Sequence, residues 1–237
     1  MVKITLTKHP KNPVIIESTP GFGLVGTIAA EFLIDHLDTE MIGEIWFEKM
    51  PAITAIHEES VVQPLGLFYN KKYNIIIVHA ITGTQGIEWR LGSAILEVAK
   101  KLKAKEIICL EGVGNPSLTT TTDAFFYSSN PAKKKILQKI GINPLKEGII
   151  MGVTSALLLK HDEIPLSCIF AEASSNMPDS KAAAKIIETL DKYLGLKVDY
   201  KPLLQQAAKF EEKLKGILSK SEEAQKLQEK KKLSYVG

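Results

Sequence analysis

Between residues 13 and 37 a short apolar run, a turn built on three glycines and an amphipathic stretch follow one another. This succession constrains the fold more than any other part of the chain. Val14, Ile15 and Ile16 read as a buried strand. Pro20-Gly21-Phe22-Gly23-Leu24-Val25-Gly26 supplies the turn, and Ile28, Phe32, Leu33 and Leu37 recur at helical spacing. Strand, glycine turn and helix form the opening half of a βαβ unit. Gly21, Gly23 and Gly26 also match G-x-G-x-x-G, the dinucleotide fingerprint. That fingerprint expects an acidic residue about 20 positions further on, at the end of the next strand. Here the next strand, residues 41–47, runs into Glu48-Lys49-Met50-Pro51, where lysine and proline turn the chain away. The glycines are therefore read as permitting a tight turn and a close helix–strand approach, with no cofactor.

The remaining pattern extends the α/β reading. Residues 53–56 and 65–69 alternate as half-buried strands do. Residues 74–79 (Asn-Ile-Ile-Ile-Val-His) carry a β-branched run without alternation, which belongs to a sheet covered on both faces. A helix is predicted over 87–103. The loop before it and the helix start offer a candidate ligand site of His79, Thr82, Gly83, Thr84, Gln85, Gly86, Glu88 and Arg90, because α/β folds bind ligands at strand carboxyl ends. The competing and favoured reading is that His79 ends a core strand and the threonines cap a helix. Further strands are predicted at 106–111 and 165–173, a β-prone stretch at 119–127, and helices at 131–141, 147–160 and 182–194. Together these predict one three-layer α/β domain over residues 1–200, with a mostly parallel sheet flanked by helices.

Beyond residue 200 the pattern changes. Leu203, Ala207, Phe210, Leu214 and Ile217 succeed one another at spacings of four, three, four and three. That heptad seam predicts an amphipathic helix over 201–219, packing on its own domain or on a neighbouring subunit. Residues 220–237 read as a mobile basic tail, too poor in apolar surface to fix itself. The tail nevertheless ends in Leu233-Ser234-Tyr235-Val236-Gly237, which reads as a docking peptide. From Lys201 onward there are nine lysines and five glutamates, so the formal net charge of +3 resides in the tail. Such a slight charge does not argue for nucleic acid. Cys109 and Cys168 lie in apolar runs, lack companions at metal-ligand spacing and read as buried thiols. No apolar stretch approaches ~18 residues, so no membrane association is expected, and the protein is expected to be cytoplasmic.

The glycine turn, with Ala29, Ala30 and Leu33 on the following helix, resembles the PAC2 family of proteasome assembly chaperones, most closely its archaeal members. The likeness continues through Gly152-Val153-Thr154-Ser155-Ala156-Leu157-Leu158-Leu159. It resumes from Glu172 through Asn176-Met177-Pro178-Asp179-Ser180 to Ala183. The resemblance implies a fold similar to the nucleoside phosphorylases and a non-enzymatic, ATP-independent assembly chaperone or activator. It implies a homo-oligomer whose C-terminal tails enter pockets between 20S proteasome α-subunits. The family's docking tails end hydrophobic–tyrosine–any residue. Leu233, Tyr235, Val236 and the Gly237 carboxylate would dock here, with Tyr235 third rather than second from the end. No P-loop is present in the sequence, in keeping with ATP independence. The alternative is a nucleoside-phosphorylase-like enzyme or small-molecule binder, with His79, Glu88, Glu111 and Arg90, the only arginine, converging at the strand ends. A shared fold alone does not license that chemistry.

Overall fold

The computed structural model describes residues 2–48, 50–57, 59–114, 122–161, 164–173, 178–205 and Gly216. In chain order these residues form β1 (Val2–Leu6), β2 (Val14–Ser18), a 3-10 turn (Phe22–Leu24), α1 (Val25–His36), β3 (Glu40–Phe47), β4 (Ala55–His57) and β5 (Ser60–Val62). There follow β6 (Leu65–Asn70), β7 (Ile75–Ala80), α2 (Glu88–Leu102), β8 (Glu106–Gly114), β9 (Ala124–Ser128), α3 (Pro131–Lys139), β10 (Asn143–Pro144), α4 (Gly152–Lys160), β11 (Leu166–Ala173) and α5 (Ser180–Leu194).

Among the described residues nine strands form one sheet in the order β1-β3-β6-β7-β2-β8-β11-β9-β10, while β4 and β5 make a separate hairpin. The centre, β7-β2-β8-β11, is parallel. β7 is buried along its whole length, as its unalternated run predicts. One face of the sheet packs Ile16, Ile77, Ile108 and Ile169 against α1 and α5. The other packs Ile15, Val78, Cys109 and Phe170 against α2 and α4. Each fully buried Ile or Leu contributes about 1.5–3 kcal/mol relative to exposure, so the two cores hold the three layers together. Both cysteines are free and buried.

Three expectations are corrected. The sheet is mixed rather than mostly parallel, with four parallel and four antiparallel pairings among its described strands. Residues 71–74 join β6 to β7 with too short a turn for a crossover, so that pair is antiparallel. Strand β1, unforeseen, pairs antiparallel with β3 at the sheet edge. The helix expected from 147 begins only at Gly152, whose φ of 74° lies off the helical path.

Residues 201–205 are helical, and Leu203 is buried in the α1/α5 core of its own chain. Ala207, Phe210, Leu214, Ile217, Leu233, Tyr235, Val236 and Gly237 lie outside the described residues. No helix of the described residues is long and apolar enough to cross a membrane.

Candidate functional site

The turn at residues 20–26 joins β2 to α1 at the carboxyl end of the parallel strands. Its glycines make room for the chain's own atoms. A Cβ on Gly21 would lie 2.0 Å from Glu111 Oε1, and one on Gly26 would lie 2.3 Å from the Leu110 carbonyl oxygen. Gly23 takes φ 64°, in the left-handed region. The Phe22 amide, of the kind that cradles phosphate in dinucleotide folds, donates to Glu111 Oε1 at 3.2 Å. The Gly23 carbonyl accepts from the Asp179 amide at 2.9 Å. Asp179 is also the N-cap of α5, its side chain accepting from the Ala182 amide at 3.0 Å.

Beneath the turn lies a carboxyl pair. Glu17, from β2, is fully buried. Its Oε1 accepts from the Thr19 amide at 2.9 Å and from the Thr19 hydroxyl at 2.6 Å. Glu111, from β8, reaches the same place from the next strand. Thr154, in the first turn of α4, sets its hydroxyl oxygen 3.1 Å from Glu17 Oε2 and 3.2 Å from Glu111 Oε2. Burial raises the Glu17 carboxyl above the ordinary carboxylate range, against hydrogen bonds from Thr19, Thr154 and Cys109. Burial, with the charge of Glu17, pushes Glu111 up to about 8. Burial also drives up the Cys109 thiol, helped by Cys168 opposite it on β11.

The three stretches that carry the family resemblance, distant in sequence, thus meet at one knot: the turn itself, Thr154 of α4 and Asp179 of α5. Sequence reading identified the glycines but missed Glu17 and Thr154 as partners of Glu111. The available signal was a glutamate directly after Ile15 and Ile16 inside a buried strand.

The candidate ligand loop is dispersed. His79 projects to the α1/α5 face, where its Nε2 stands 2.9 Å from Glu31 Oε2 and its ring packs edge-on to Phe68. Neither ring nitrogen of His79 makes an aligned hydrogen bond. Glu111 projects to the opposite face, so His79 and Glu111 do not converge as the alternative enzyme reading would need. Thr82 and Thr84 are buried, Gly83 is half-buried, and Gln85 and Gly86 are exposed. Neither threonine caps α2, whose N-cap is Ile87 without a side-chain bond. Glu88 is half-buried and Arg90 exposed on the first turn of that helix. No group of three or more His, Cys, Asp or Glu among the described residues has metal-site geometry.

Comparison with known proteins gives a consistent result. The PAC2 family model matches residues 15–218. The chain is 32% identical to Pyrococcus furiosus PbaA, an archaeal homolog of proteasome-assembly chaperone. That match covers 95% of this chain and all of that one, with a TM-score of 0.86. Pyrococcus furiosus PbaB, an archaeal proteasome activator, shares the fold at 21% identity and a TM-score of 0.74, over 91% of this chain and 98% of its own. An uncharacterized protein of Methanocaldococcus jannaschii is 25% identical over 229 residues, covering 95% of this chain and 92% of its own.

Proposed function

This chain belongs to the PAC2 family, and from that membership we propose that it is an ATP-independent assembly chaperone or activator of the 20S proteasome, not an enzyme. The observation that carries the proposal is the similarity to PbaA, which covers 95% of the chain, beside a family match whose residues 15–218 span the turn at 20–26. The strand ends support the same reading. The amide and the space that a dinucleotide would use at Gly21 and Phe22 are occupied by Glu111.

In this proposal the α/β body organises a cytoplasmic homo-oligomer that presents several tails. Leu233, Tyr235, Val236 and the Gly237 carboxylate dock between α-subunits. A helix over 201–219 carries the tail, with Leu203 anchored in its own body and Ala207, Phe210, Leu214 and Ile217 left for a neighbouring subunit. Each tail binds weakly, and tethering several multiplies avidity by ~10²–10⁴. The similarity to nucleoside phosphorylases is proposed as one of architecture alone.

The test compares the full chain with a chain ending at Lys232, in pull-down of purified 20S particles and in stimulation of their peptidase activity. Capture and stimulation by the full chain, both lost on truncation, are expected. An unchanged response would remove the tail from the mechanism.

A further inference from the structure

The carboxyl pair beneath the glycine turn poses a problem of hydrogen counting that the proteasome reading leaves open. The Thr154 hydroxyl carries one hydrogen, yet its oxygen lies within hydrogen-bond distance of Oε2 on both Glu17 and Glu111. Were both carboxyls ionised, one Oε2 would face the hydroxyl oxygen with no hydrogen between them. The shortfall is made good by a proton on a carboxyl.

The donors decide which one. Glu17 receives hydrogen bonds from the Thr19 amide and hydroxyl and from the Cys109 thiol, in addition to Thr154. Glu111 receives the Phe22 and Gly112 amides and otherwise faces the charge of Glu17. Glu17 is therefore the ionised member. Glu111 holds the proton on Oε2 and donates it to the Thr154 oxygen, while Thr154 donates to Glu17. This agrees with the upward displacement of Glu111.

Among the described residues, the charged and titratable groups around the pair supply no counter-ion. β8 and β11 bring the Cys109 and Cys168 thiols. β11 also carries Glu172, whose Oε2 accepts from the Asp123 amide at 3.3 Å. The first turn of α2 bears Glu88 and Arg90, and the approach to α4 bears Lys146 and Glu147. No cation is among the main influences on either carboxyl.

We propose that Glu17, Thr154 and Glu111 form a proton-operated latch, in which one shared proton fastens the first turn of α4 to the glycine turn and to β2 and β8, and its loss lets α4 go. The latch is a device of the body, independent of tail docking. With the proton gone, buried Glu17 and half-buried Glu111 repel each other as carboxylates across Thr154, and Glu111 loses its hold on α4.

Two measurements on the full chain test this. In a carbon-13 NMR titration of the glutamate side-chain carboxyls, one resonance is expected to remain in the protonated form at pH 7, ionise near pH 8, and be missing from Glu111→Gln. All glutamates ionising below pH 6 would overturn the latch without any variant. In hydrogen exchange corrected for intrinsic rates, opening at Phe22 and at the first turn of α4 is expected to rise about tenfold per pH unit up to about pH 8 and then level off, because opening releases one proton. Glu111→Gln, which keeps a neutral donor in place, is expected to flatten that rise. Parallel slopes in the two proteins would contradict the proposal.

Discussion

β8 carries two glutamates, one at its start and a half-buried one in its second half, and treats them in opposite ways. At its start Glu106 is fully buried and meets Lys133 Nζ at 2.7 Å, the Tyr193 hydroxyl at 2.9 and 3.0 Å, and the Ser167 hydroxyl at 2.5 Å. Five residues further on, Glu111 meets a hydroxyl, amides and a second carboxyl. A buried carboxylate survives when a cation or enough hydrogen-bond donors surround it, and a carboxyl with neither keeps its proton instead. The first end is a fixed ion pair that ties β8 to α3 and α5, and it raises the Tyr193 hydroxyl by burial and by the charge of Glu106. The second end depends on pH and sits under the family's glycine turn.

The largest way to break this contrast is to remove the cation. Lys133→Met leaves Glu106 buried without its counter-charge, and denaturant unfolding is expected to show a loss of about 3–5 kcal/mol. Restoration of most of that loss by adding Glu106→Gln would assign it to the unpaired charge. Next comes the turn. Gly26→Ala drives a Cβ into the immobile Leu110 carbonyl and is expected to cost about 3 kcal/mol. Gly21→Ala meets only the end of the Glu111 side chain and is expected to cost about 1 kcal/mol by the same measurement, since a carboxyl can swing aside.

The pH dependence sharpens the comparison further. Because the folded chain holds the Glu111 proton up to about pH 8, that group's contribution to stability is full below about pH 4.5 and is lost as pH rises through 8. Between pH 5 and 8.5 the Tm of the native protein is therefore expected to fall relative to that of Glu111→Gln, by on the order of 10 °C. Glu188 has the opposite sign. Lys192 and Lys185 hold its carboxyl below the ordinary range, so its contribution is present at neutral pH and lost as pH falls. The Lys partners are partly exposed, and Glu188→Gln is expected to shift stability by only about 0.5 kcal/mol at neutral pH, vanishing in acid.

Local pattern in the sequence revealed the parts of the fold that local physics determines. The unalternated Ile75–Val78 run gave the doubly covered strand, and apolar residues at helical spacing gave α1, α2 and α5. The glycine turn was placed between the right strand and helix. Apart from the short 71–74 turn, which makes β6 and β7 antiparallel, pairing direction is not legible, because β1, β3 and β9 find their partners through contacts between strands rather than through periodicity within them. The start of α4 falls later than the pattern predicts because the apolar residues Ile149, Ile150 and Met151 continue the periodicity while Gly152 breaks the backbone path. The carboxyl pair was hidden for a similar reason. Glu17 and Glu111 are neighbours only once β2 and β8 lie side by side, and Thr154 joins them from a third segment. The tail was read from composition and family likeness, which specify its chemistry without its placement.

Sedimentation of the full chain, alone and mixed with purified 20S particles, tests the proposed function most directly. A homo-oligomer that moves with the 20S particle is expected. A monomer that sediments apart from the particle at every ratio would contradict it.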